Sequence, residues 1–273
     1  PPLVLFSLIT VGYSANALGG AGGPLAVLII AIVAAELGKA VSKETKVDIL
    51  VTPLVTIFAG VGLSMLIAAP IGAAASQVGT LIMWATEQAP LVMGILVSVI
   101  VGVALTLPIS SAAICAALGL TGLAGGAAVA GCCAQMVGFA VMSYKENGVG
   151  GLVSQGLGTS MLQMGNIIKN PRIWIAPTLA SAITGPLATC LFHFEMNGAA
   201  VSSGMGTCGL VGQIGVYTGW VSDIAAGTKA AITPMDWVAM VLLCFVLPAV
   251  LSVVFCAVER KLGWIKEGDL KLN

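Results

Sequence analysis

Charge is scarce in this 273-residue chain: Lys, Arg, Asp and Glu together make up 8% of it, against about a quarter of a soluble globular domain. The eleven basic and eleven acidic residues cancel, so no basic field exists to gather a polyanion and nucleic-acid binding is excluded as a function. A single histidine, His193, cannot build a multi-histidine metal site. The seven cysteines show no C-x-x-C spacing and sit in apolar runs, which excludes a zinc or disulfide framework and leaves them as small buried hydrophobes. No cofactor is expected. The first residues, Pro1 and Pro2, carry neither a methionine nor a basic n-region, so the chain reads as part of a longer one with N-terminal residues missing, not as a secretory precursor.

Apolar residues are abundant, at 58% of the chain with a mean hydropathy of +1.07. Such a composition predicts an all-α, polytopic integral membrane protein, read as one integral membrane domain over residues 1–273. Thirty-five glycines and twelve prolines add the expectation of close helix crossings, broken helices and re-entrant hairpins. Two apolar segments around the glycine cluster at 19–23 lead to Lys39, Lys43 and Lys46, a cytoplasmic loop by its positive charge. A span follows over 49–69, closed by Pro70, and residues 71–88 are read as lying at the outer interface. The run from Pro90 through Pro108 to the glycines at 119–126 is too long for one crossing and too short for three. A hairpin turning near Pro108, followed by a span over 127–142, accommodates it. Residues 148–168 read as an interfacial cytoplasmic segment, 174–191 as an outward crossing, 220–236 as a polar outer loop and 237–258 as the return.

Candidate chemistry concentrates at Phe192-His193-Phe194-Glu195-Met196-Asn197. Polarity alternates with period two, which suits extended backbone and puts His193, Glu195 and Asn197 on one side. Extended backbone at membrane depth survives only where protein buries it or a watery cavity meets it. An intramembrane carboxylate is a functional-site hypothesis by default, so Glu195 leads, His193 accompanies it, and Asn197 and Gln213 follow as polar groups on the same expected hairpin. Gly204 to Gly209 matches G-x-G-x-x-G, but without a βαβ context the pattern signals tight packing and not a dinucleotide. A Ser–His–Asp hydrolase would need Asp48, Asp223, Asp236 or Asp269 to reach His193, and each belongs to a loop or segment end.

The stretches Asn170-Pro171-Arg172-Ile173-Trp174, Ile183-Thr184-Gly185-Pro186, Phe192 to Asn197 and Gly204 to Gln213 resemble the enzyme IIC-like permeases of the bacterial sugar phosphotransferase system, in the branch often labelled as toxin-gene regulators. That resemblance implies a homodimer in the bacterial inner membrane that binds a sugar or sugar acid and translocates it by movement of a hairpin-containing transport domain. Glu195 and His193 would hydrogen-bond ligand hydroxyls, and a separate soluble IIB protein would supply phosphoryl chemistry. Two features depart from the family pattern: the glutamate and histidine stand two residues apart instead of on separate elements, and no IIA or IIB domain is fused. Two other readings stay open: a proton-coupled or passive transporter in which Glu195 and His193 carry protons, and a membrane ligand sensor that regulates gene expression.

Overall fold

The structure, a computed structural model, describes residues 2–20, 23–44 and 47–272. Part of the glycine cluster, Ala21 and Gly22, and Lys46 of the cytoplasmic loop lie outside the described residues. The chain divides into two compact units, Pro1–Thr80 with Ala116–Gly119, and Leu81–Cys115 with Leu120–Asn273. Helices build both, and the only β pairing among the described residues is one isolated bridge.

The first unit packs α1 (Pro2–Gly19), α2 (Gly23–Val41) and α3 (Asp48–Leu63) against one another. Each contributes a buried stripe of mostly small residues about four apart: Ser7, Val11, Ala15 and Gly19 from α1, Ala26, Ile30, Ala34 and Gly38 from α2, Thr52, Thr56 and Gly60 from α3. A four-residue repeat keeps one face in register, and small side chains let helices approach where lipid gives no hydrophobic drive for association. A Cβ on Gly60 would stand 2.3 Å from Val11 Cγ2. The large apolar residues point the other way, Phe6, Tyr13, Phe58 and Leu66 being among the most exposed. That inside-out arrangement is what an apolar solvent selects.

The helix of α3 does not end at Pro70. It passes through a five-residue π-turn, Ser64–Ala68, and continues as α4 (Ala69–Gln88), so residues 71–88 continue the helix of the preceding span. Proline removes a backbone donor and crowds the preceding turn; the wider π-turn just before it relieves that conflict without breaking the helix. The same pairing recurs at Pro248, preceded by the π-turn Leu242–Val246, whereas at Pro186 the π-turn Leu187–Leu191 follows the proline.

The second unit is organised around α7 (Gly122–Met142), reached through α5 (Pro90–Thr106) and the short α6 (Ser111–Leu118). The chain breaks its helix at 107–110, as expected at Pro108. Of α7's most apolar window 94% is buried. Against it pack α5, α10 (Ile175–Pro186) and α13 (Leu247–Lys261), which α12 (Pro234–Val241) precedes. Gln135, wholly buried on α7, receives bonds from Trp174 Nε1 at 2.9 Å and Thr106 Oγ1 at 3.2 Å and donates to Thr178 Oγ1 at 3.3 Å. Such bonds average about 0.6 kcal/mol each in membrane helices.

Residues 148–168, read as an interfacial segment, are helical too: α8 (Tyr144–Val153), a π-turn and α9 (Met164–Lys169). Their polar side chains face inward. Gln155 and Gln163 are fully buried, and Asn147, Gln163 and Asn166 hold the backbone of the C-terminal residues 270–272.

Six helical stretches among the described residues are long and apolar enough to cross a membrane: Pro2–Gly19, Gly23–Val41, Asp48–Gln88, Gly122–Met142, Pro171–Leu191 and Pro234–Lys261.

Candidate functional site

After the π-turn that closes α10's helical run, residues 192–199 leave helical conformation. Backbone bonds fix the departure: Phe192 N–H donates to Leu187 O at 3.0 Å and Phe194 N–H to Ala188 O at 2.8 Å. Met196 and Gly122 then exchange both backbone bonds at 3.0 Å in the single antiparallel bridge. The segment is not uniformly extended. His193 adopts φ 45°, a left-handed conformation that histidine tolerates better than most side chains. Alternation of burial survives that turn, with Phe194 and Met196 inside and His193 and Glu195 exposed. Phe192 is half-buried and joins the polar side, lining the cleft.

Close approach to α7 depends on Gly126, where a Cβ would stand 1.6 Å from Phe194 O. Beyond the segment, Ser203 Oγ donates to Leu120 O at 2.7 Å and Ser111 Oγ to Gly204 O at 2.7 Å. The glycine-rich stretch that follows runs through 3₁₀ turns into α11 (Val211–Ala225), with no βαβ unit around it. On α11, Gly212, Gly215 and Gly219 abut Gly206, Ser202 and Asn197 respectively, so that glycine face exists to admit backbone.

These clamps frame a cleft of about 500 Å³ lined by His193, Glu195 and Asn197 together with Trp220 and Asp223 of α11, Thr228, Lys229 and Thr233 of the connection, and Asp236 of α12. Asn197 is its hinge. Its Nδ2 donates to Glu195 Oε2 at 3.0 Å and to Asp223 Oδ2 at 2.9 Å, while its Oδ1 accepts from Gly122 N–H at 3.2 Å. Asp236 forms a capping box with Thr233 and pairs with Lys229 at 2.8 Å. No hydrogen bond joins His193 to Glu195 among the described residues.

The structure therefore brings together His193, Glu195 and Asn197 and leaves Gln213 out. Gln213 is buried on α11, its Nε2 3.2 Å from Cys133 Sγ and its Oε1 without a partner. Sequence reading missed Asp223, Lys229 and Asp236 as cleft residues, although it placed all three in one polar stretch; that polarity was the available signal. Asp223 and Asp236 do share the cleft with His193, yet its lining holds no serine. Among the described residues no group of three or more His, Cys, Asp and Glu could hold a metal ion. Carboxylates, an amide, hydroxyls and an indole face make a surface suited to a hydroxyl-rich ligand.

Fold and cleft together define a helical membrane protein with a polar cleft formed where its helices break. The chain belongs to the family described as Phosphotransferase system, EIIC, whose pattern it matches over residues 1–272. That family implies a sugar-specific membrane permease working with a soluble IIB partner. No curated protein and no solved structure matches the chain.

Proposed function

We propose that the chain is one permease domain of a bacterial inner-membrane homodimer, and that the cleft at Glu195 is where a sugar-type metabolite binds before it is carried across. Glu195 and Asn197 address ligand hydroxyls, His193 supplies a second polar contact from the cleft wall, and Gln213 supports the packing beneath. A soluble IIB protein would phosphorylate the sugar from the cytoplasm. Breaks at 107–110 and 192–199 would form the tips of re-entrant hairpins in the moving part, since broken helices offer free backbone groups and dipole ends to a ligand.

One observation carries this reading: Asn197 ties Glu195 and Asp223 into a single polar wall, in a chain that matches the permease family along its whole described length. Glu195→Gln tests it, because it keeps shape and one acceptor and removes the charge. Charge-assisted bonds of about 1.5–3 kcal/mol should weaken, raising Kd roughly ten- to a hundredfold in a sugar panel read by calorimetry, with melting temperature unchanged. Affinity unaltered in both Glu195→Gln and His193→Ala would reject the assignment.

A further inference from the structure

An ammonium group already occupies part of the cleft. Lys229 places Nζ 2.8 Å from Asp236 Oδ1 and 5.5 Å from the centroid of the Trp220 ring. A carboxylate on one side and an indole face on another is the general chemistry that recognises a primary ammonium. Trp220 is itself fixed, 4% exposed and packed edge-on to Trp237 at 5.6 Å. The lysine reaches this seat from the irregular connection 226–233, which is held at its start by Thr228 and Lys229 N–H donating to Asp223 O.

The remaining charge in the cleft has the sign that an ammonium needs. Glu195 and Asp223 both lie within 3.0 Å of the side-chain nitrogen of Asn197, and among the described residues Lys229 is the only lysine or arginine lining the cleft. Three carboxylates against one lysine repel an anionic ligand and attract a cationic one.

We propose that the cleft takes a small polar metabolite bearing a primary ammonium, an amino sugar or amino polyol, and that Lys229 is a tethered occupant which the ligand's ammonium displaces. This rests on the permease reading and deepens it: the sugar acid, one of two ligand classes the sequence suggested, is rejected by charge. Lys229 then sets specificity twice. It masks the seat when no ligand is present, and it sets how much better an amine must bind than a hydroxyl in order to enter.

The test is calorimetric titration of the purified full chain with glucosamine, glucose and glucuronate, for the wild type, Lys229→Met, Lys229→Gln and Asp236→Asn. Both Lys229 variants should bind glucosamine about tenfold or more tighter, with glucose changed less than about threefold. Asp236→Asn should erase the preference for glucosamine over glucose, and glucuronate should bind none of the four proteins. The second Lys229 variant keeps the comparison available if one fails to fold. If glucose binds and glucosamine gains nothing in either Lys229 variant, or glucuronate binds more tightly than glucosamine, the inference falls while the permease reading stands. A lowered melting temperature with unchanged selectivity makes Lys229 merely structural and also overturns it. If none of the three sugars binds any of the proteins, the permease reading falls and takes the inference with it.

Discussion

Gly126 gives the most direct way to ask whether the backbone at Glu195 must stay where it is. A methyl group there would lie 1.6 Å from Phe194 O, whereas an ordinary carbon–oxygen contact needs about 3.4 Å, so something must move by roughly 1.8 Å. α7 is the least able to yield, because 94% of its apolar window is enclosed. The displacement in Gly126→Ala therefore falls on residues 192–197, whose tethers are the Phe194–Ala188 bond and the Met196–Gly122 bridge. A misplacement of about 1 Å can cost a hundredfold where geometry decides binding, so ligand affinity should drop by at least tenfold. Gly165→Ala serves as the control, since a Cβ at that helical position meets nothing within 4 Å. Kd from calorimetry and melting temperature should be measured on the same preparations. Affinity within about threefold of wild type, in a Gly126→Ala protein that melts normally, would refute the claim that this close approach positions Glu195.

Two further outcomes are expected. Arg260→Ala should lower stability by about 1–3 kcal/mol in thermal melts, because Glu146 loses its 2.8 Å partner, keeps only the 3.4 Å bond from Gly268 N–H and already has Oε2 unpaired; Glu146→Gln in the same chain should restore part of the loss. With Cys190 and Cys208 replaced by serine, Ala230→Cys and Lys266→Cys should react with a membrane-impermeant thiol reagent from opposite sides of sealed vesicles, and labelling of both from one side would reject the topology.

The class of fold was legible because it rests on composition. A chain with so little charge and so many apolar residues can satisfy its backbone in lipid only as helices or a closed barrel, and the apolar segments here are helix-length. Local chemistry also showed where helices stop at 107–110 and 192–199, since Pro108 and the polar alternation after Leu191 act within a few residues. Where the reading went astray, proline was given too much weight: Pro70 looked like an end because a regular α-helix cannot absorb it, and the π-turn at Ser64–Ala68 that does so leaves no mark in composition. The helical, inward-packed form of residues 148–168 left no local mark for a related reason. Gln155 and Gln163 look like surface side chains until the C-terminal backbone arrives to bond Gln163, across 107 residues of sequence.

The site divides along the same line. His193, Glu195 and Asn197 announced themselves because an ionisable group is costly wherever its neighbours are apolar, a property of adjacent residues. Asp223, Lys229 and Asp236 did not, since each has a local explanation: a helix end, a loop and a capping box. Only the bond from Asn197 to Asp223, across 26 residues, and the reach of Lys229 over Trp220 turn them into one surface with the first three. The cleft also has a consistent place in the second unit. It lies at the end of α7 marked by Gly122, while Met142 marks the other end, where residues 143–172 and 259–272 carry seven lysines and arginines against one, Lys229, in 192–236. Positive charge collects on cytoplasmic ends, so under the proposed permease function the Gly122 end is expected to face outward, the orientation that the paired cysteine labelling at Ala230 and Lys266 tests.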